Sequence, residues 1–236
     1  MEDTPIIEET RLPVHVAVIM DGNGRWAEQR GLPKYKGHEA GMDAMIEIVR
    51  HASDIGVKHL TVYAFSTENW KRSVDEVSGI FQLLLIYVQR ELEELHRNNV
   101  KVDVLGDWTP FTKPVVAALN RTIERTKNNT GLKFHIALNY GARSEILAAA
   151  KKMAESGDCS EVNEEDFANF LYTKGVPDPD LLIRPGGEQR ISNFLLWQTA
   201  YSELIFSDVL WPDYTTNEFD KAIEAFSVRK RRYGGR

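Results

Sequence analysis

Residues 16–20, Val-Ala-Val-Ile-Met, form an unbroken apolar run that stops at Asp21 and is followed by Gly22, Asn23, Gly24 and Arg25. No other stretch constrains the fold as strongly. A run without polar alternation is expected of a strand covered on both faces. The two glycines let the backbone approach a ligand closely and turn its N–H groups toward an anion. Residues 25–30, Arg-Trp-Ala-Glu-Gln-Arg, can start a helix, whose N-terminus favours phosphate. A carboxylate, a guanidinium and an amide-lined loop beside a buried strand end suit a magnesium-bound diphosphate. The plainer reading of Asp-Gly-Asn-Gly is a turn and nothing more.

Further strands are expected within 59–65, 101–107, 132–141, 181–187 and 203–211, from their apolar and β-branched content. Between them the spacing predicts helices over 39–55, 75–99, 111–127, 142–155, 164–172, 193–201 and 215–232. Repeated strand–helix units imply one α/β domain with a central, mostly parallel six-stranded sheet flanked by helices. The chain has 236 residues, room for one large domain or two small ones, and no composition shift marks a linker. The domain is therefore expected to span 1–236, with 1–12 a flexible N-terminal segment. The helix over 75–99 is apolar nearly all round in its middle. That fits a central core helix and equally the wall of an apolar pocket. Ala64, small among bulky neighbours in 59–65, is likewise open to a close-packing or a pocket role. Period-two alternation there puts Val62 and Ala64 on one face and Tyr63 and Phe65 on the other.

A net charge of −6 argues against a nucleic-acid partner, so an anionic ligand must be held by local arginines. Cys159 is the single cysteine, which rules out an intrachain disulfide and a multi-cysteine metal site and fits a reducing compartment. The acidic start of the chain is unlike a signal peptide, and no apolar run approaches the roughly 20 residues of a membrane span. A cytoplasmic protein is expected, with any membrane contact peripheral.

In open parallel sheets, ligands bind outside the carboxyl ends of the strands. The second strand runs into Ser66, Thr67, Glu68, Asn69, Trp70 and Arg72, and the fourth into Asn139, Tyr140, Gly141 and Arg143. The fifth runs into Arg184, Gly186, Gly187, Glu188 and Arg190, with Ser192 close behind. Arginines, glycines and hydroxyls thus converge on one edge, as a pocket for more than one phosphate group requires. Gly22, Gly24 and Ala27 also match the G-x-G-x-x-[GA] dinucleotide pattern, so a nucleotide-binding oxidoreductase is the alternative. That pattern expects an acid about 20 residues on, at the end of the second strand, and here the strand ends about twice that far away.

The stretches HVAVIMDGNGRWA, YAFSTENWKR, NYGARSEI and RPGGEQRISNFLLWQTAYSELIF, together with His38, closely resemble the cis-prenyltransferases, nearest the bacterial undecaprenyl diphosphate synthase type. The resemblance covers essentially His15 to Gly234. It implies a single α/β domain with an apolar tunnel for the product, a homodimer and a requirement for Mg2+. The implied reaction is repeated cis addition of isopentenyl diphosphate to an allylic diphosphate such as farnesyl diphosphate, giving a polyprenyl lipid-carrier precursor for cell-wall synthesis. By the family's pattern, Asp21 and Glu203 bind the metal. Gly22, Asn23, Gly24 and Arg25 cradle the allylic diphosphate, with Trp26, Lys34 and His38 nearby. Ser66, Thr67 and Glu68 line the site beside Asn69, Trp70 and Arg72. Arg184, Arg190, Ile191 and Ser192 take isopentenyl diphosphate.

Asn69 stands where the family's proton acceptor is often placed, yet a neutral amide is a poor base and suits orienting another group. Lys34 replaces a common arginine, and Pro185 and Gln189 stand where some relatives carry threonine and histidine. Arg232, Tyr233 and Gly234 match a tail that reaches across the dimer in the family. Basic residues ending a helix are also ordinary dipole complements. A non-catalytic partner subunit would lack Asp21 and the paired arginines.

Overall fold

Five consecutive buried residues, His15–Ile19, form strand β1 in the middle of the sheet. The structure, a computed structural model describing residues 12–157 and 161–229, pairs β1 with β2 (His59–Ser66) on one side and β5 (Leu181–Arg184) on the other. β4 (Lys133–Tyr140) and β3 (Lys101–Leu105) continue beyond β2, and β6 (Glu203–Phe206) closes the other edge. The order is β3-β4-β2-β1-β5-β6, and every pairing is parallel. From β1 the chain moves toward one edge, and from β5 toward the other. The two strands therefore part company at their carboxyl ends, where a doubly wound sheet opens a crevice.

Pleating divides the core. Val16 and Val18 face a large cluster filled by α2 (Lys34–Asp54), α3 (Val74–Arg97), α4 (Lys113–Thr126) and α7 (Thr216–Ser227). Ala17 and Ile19 face a smaller one with Tyr140, Leu182, Phe194 and Leu195, beside α5 (Ala142–Glu155). Full burial of each Val, Ile and Leu side chain among these contributes roughly 1.5–3 kcal/mol. Both faces of the sheet are covered, as the apolar run of β1 requires.

Most helices match expectation within about two residues, with a few instructive exceptions. α7, expected to run to 232, ends at Ser227 with Val228 as its cap, and residues 230–232 lie outside the described residues. α2 starts at Lys34, five positions early, because Pro33 sets an extended residue at φ −66°, ψ 147° and the helix follows at once. Gly37 inside that first stretch is a contact rather than a stop. A Cβ there would lie 1.9 Å from the Asn23 carbonyl of α1 (Asn23–Gln29). Lys34 and His38 thereby share one helix face. α6 stops at Ala168 (Glu164–Ala168) and does not reach Tyr172. The helix expected over 193–201 does not form. Ser192, Asn193 and Leu195 have φ of 48°, 63° and 47°, which an α-helix excludes, so the segment runs as successive turns. In β2 the register slips between Tyr63 and Phe65, so Phe65 joins Val62 in the larger cluster instead of sharing a face with Tyr63.

Leu12 packs against the larger cluster, while the rest of the proposed flexible segment, residues 1–11, lies outside the described residues. So do Cys159, Arg232, Tyr233 and Gly234. No helix among the described residues is long and apolar enough to cross a membrane.

Candidate active site

A cavity of about 550 Å³ opens at the carboxyl ends of β1, β2 and β5. Its mouth carries Asp21, Asn23, His38, Ser66, Glu68, Asn69, Arg72, Arg184 and Ser192. Its inner wall is apolar: Met42 of α2, Ala64 of β2, Leu138 of β4, and Ile80, Leu83 and Leu84 of α3. The long helix is thus both core and pocket wall, and Ala64 borders the cavity.

The centre of the mouth is a carboxylate between two guanidiniums. Arg184, only 4% exposed, donates from Nη2 to Asp21 Oδ2 at 2.9 Å. Arg25 Nη2 lies 3.3 Å from Asp21 Oδ1. Arg184 also donates from Nη1 to Ser192 Oγ at 2.7 Å and to the Arg190 carbonyl, which ties the fifth strand's loop to the first strand's end. Its buried Nε–H has no partner among the described residues, a donor left for a ligand. Gly186, at φ 94°, is needed for this close approach. A Cβ there would meet Arg25 Nη2 at 2.9 Å and the Asp21 carbonyl at 3.0 Å. Gly22, at φ 107°, turns the chain from β1 into α1, and a Cβ at Gly24 would meet no atom of the described residues within 4 Å.

A second charged group lies between α2 and α3. Glu76 receives Arg72 Nη1 at 2.9 Å and stands 3.5 Å from His38 Nε2 and 3.7 Å from Lys34 Nζ. Burial pushes the Glu76 carboxyl up, and Arg72, Lys34 and His38 overcome that and hold it below its ordinary range. Burial and Arg72 lower the His38 imidazole. Sequence reasoning missed Glu76. Its only linear signal is its place four residues after Arg72, in the first turn of a helix capped by Ser73.

The loop after β2 is a short 3₁₀ helix, Thr67–Lys71, closed by a reciprocal cap between Ser66 and Asn69. Asn69 Oδ1 accepts the Ser66 N–H at 3.0 Å, so the side chain presents its NH₂ group to its surroundings. An amide NH₂ at this position is a donor, able to orient an oxygen and unable to accept a proton. Glu68 accepts Thr67 Oγ1 at 3.1 Å.

Other candidates stand apart from the cavity. Trp26 donates its indole N–H to Asp213 at 2.7 Å under the Arg30 guanidinium, pinning α1 to the segment after β6. Trp70 bonds Asn139 at 2.7 Å and stacks on Phe81, facing a separate cleft. Arg190 is on the rim, paired with Glu188. Ile191 packs against the smaller core cluster. Glu203 is not brought to Asp21 within one chain. It begins β6, level with Leu181 and Val16 at the other end of the sheet, and pairs with Arg229 at 2.6 Å.

Residues 19–234 match the family model of undecaprenyl diphosphate synthase. The chain belongs to the undecaprenyl diphosphate synthase family of cis-prenyltransferases. An isoprenyl transferase of Clostridium tetani is 51% identical over 95% of this chain and 90% of its own length. One from Neisseria meningitidis is 48% identical over 97% and 92%. A lavandulyl diphosphate synthase from Lavandula x intermedia, solved with dimethylallyl diphosphate, superposes with a TM-score of 0.92 at 32% identity, covering 95% of this chain and 99% of that one. A probable undecaprenyl diphosphate synthase from Campylobacter jejuni gives 0.81 at 36% identity, covering 96% and 100%. In this cis-prenyltransferase Gly22 makes the strand-to-helix turn and Gly24 and Ala27 lie within α1, and the oxidoreductase alternative falls away.

Magnesium takes oxygen ligands and is commonly held by one or two carboxylates completed by substrate phosphates and water. Among the described residues no cluster of three His, Cys, Asp or Glu forms an all-protein cage. Asp21, a carboxylate flanked by Arg25 and Arg184 at the cavity mouth, has the chemistry of a ligand for a metal that arrives with a diphosphate.

Proposed function

We propose that this enzyme extends an allylic diphosphate, with farnesyl diphosphate as starter, by successive additions of isopentenyl diphosphate. Each addition leaves a cis double bond, and the product is a polyprenyl diphosphate of the undecaprenyl class, a lipid-carrier precursor for cell-wall synthesis. The observation that carries this reading is the shape of the cavity: a charged mouth built on Asp21, Arg25 and Arg184 leads directly to an apolar wall. A molecule with a diphosphate head and a hydrocarbon tail matches both halves.

Arg25 and the Gly22–Gly24 turn hold the allylic diphosphate, with the Lys34–His38–Arg72 group beside it. Arg184 and Ser192 hold the second diphosphate so that its alkene faces the allylic carbon, an orienting contribution to rate. Charge develops on the leaving diphosphate as the C–O bond breaks, and the fixed guanidiniums stabilise it. Asp21 would hold Mg2+ together with the diphosphates, and the ion would supply further neutralisation of that charge. Met42, Ala64, Ile80 and Leu84 keep water from the cation-like centre and line the start of a tunnel for the growing chain. A homodimer would be the setting in which a partner's Glu203 and C-terminal tail could act, and peripheral contact with a membrane suits release of so apolar a product.

The test is transfer of label from isopentenyl diphosphate into an organic-extractable product. Transfer that needs both magnesium and the allylic diphosphate supports the reading. No transfer from a folded protein overturns it.

A further inference from the structure

Asn193 follows Ser192, at a position where the spacing predicts a helix, and it does something a helical residue could not. With φ at 63° its backbone is left-handed, which turns the carbonyl and the side chain toward the same neighbour. The carbonyl accepts Ala142 N at 2.8 Å, and Oδ1 accepts Arg143 N at 2.9 Å. Two free N–H groups at the start of α5 are thereby satisfied from another loop. The remaining group, Nδ2, donates to Glu68 Oε1 at 3.0 Å. One side chain thus joins the loops after β2, β4 and β5 at the cavity mouth. Gly141 makes room for it, since a Cβ there would lie 2.9 Å from Nδ2 and 2.6 Å from Thr67 Oγ1.

Glu68 has its two oxygens on two donors, Asn193 Nδ2 and Thr67 Oγ1. Burial pushes its carboxyl up, and these hydrogen bonds outweigh burial and hold it below the ordinary range. The titratable and charged groups that share the cavity with it are Tyr63 and Arg72 from its own strand and loop, His38 from α2, Asp21 from the end of β1, and Arg184 from β5. Resting on the prenyl-transfer reading, we propose that Asn193 is a positioning residue. It fixes the Glu68 carboxylate beside the loop that takes isopentenyl diphosphate, where the negative charge faces the alkene as it becomes electron-poor. A fixed opposite charge of that kind acts in the transition state more than in the ground state.

Asn193→Asp tests it. The variant keeps the oxygen that caps α5 and replaces the donor to Glu68 with a second carboxylate oxygen. Two facing carboxylates raise an apparent pKa of the pair, and a shared proton restores the bond. The expected result is a folded protein whose kcat at neutral pH falls about tenfold or more, with KM for isopentenyl diphosphate changed little. The ratio of variant to wild-type kcat should rise as pH is lowered. Asn193→Gly, which keeps the left-handed backbone but removes both side-chain bonds, should lose kcat without that pH dependence. Wild-type kcat at neutral pH in a folded Asn193→Asp protein would overturn the proposal, as would an equal loss at every pH. A wild-type protein that transfers no prenyl group would instead be a failure of the proposed function.

Discussion

Asp21 is held by both of its oxygens, one on Arg184 and one on Arg25. That geometry separates its chemical role from its structural one. Asp21→Asn keeps an acceptor for Arg184 and removes the charge, so turnover should fall on the order of a hundredfold or more while the fold persists. Near-normal turnover at saturating magnesium would contradict the role given to Asp21. Asp21→Ala should in addition lower stability, by about 3 kcal/mol in urea melts, because the buried Arg184 loses its counter-charge. On the proposed function the arginines divide the substrates. Arg184→Ala should weaken isopentenyl diphosphate more than the allylic substrate and Arg25→Ala the reverse, by about 1.5–3 kcal/mol for each lost charge-assisted bond. Equal weakening of both substrates in both variants would show that the two diphosphate sites are not separate. Residues at strand ends, such as Asp21 and Arg184, were legible in the sequence because a parallel sheet sends every such residue to one edge. Glu76 and Asn193 were not, since their partners come from helix packing and from a left-handed turn that no spacing records.

At the scale of elements, β2 and α3 together decide how much room the apolar wall leaves. Ala64 lies at the register slip in β2 and lines the cavity opposite Ile80, Leu83 and Leu84. Ala64→Leu should therefore fill space needed by a growing chain and shorten the products, while the first condensation stays comparatively fast. Simple overpacking of the core would instead cost roughly 1–3 kcal/mol and leave the product at full length. Product length and melting temperature measured on one sample distinguish the two outcomes. The alternation of strands and helices was legible from periodicity alone. Two element-level features were hidden. Pro33 starts α2 early, which brings Lys34 and His38 onto one face beside Glu76. The stretch 193–201 reads as a helix but runs as turns, with Phe194 and Leu195 fully covered and Tyr201 exposed.

Across the whole molecule, the two ends of the sheet behave differently. The carboxyl ends carry the site, and the opposite end buries His15, His59 and His135 together. Burial pulls the His15 imidazole down to about 3 and that of His59 down to about 4. The unfolded chain binds these protons near pH 6.5, so stability should decline as pH falls below that value and continue to decline until the folded-state values are reached. The slope is about 1.4 kcal/mol per pH unit for each such histidine. Urea midpoints between pH 7 and 4.5 check this, and a flat profile would contradict it. The central claim concerns the other end, where a diphosphate-binding mouth opens onto an apolar wall. Its most direct test is the product itself: wild-type protein, magnesium, farnesyl diphosphate and labelled isopentenyl diphosphate, with chain length and double-bond geometry read after dephosphorylation. A series of polyprenols in which every added unit is cis is the predicted result; trans units, or no chain extension at all, would contradict it.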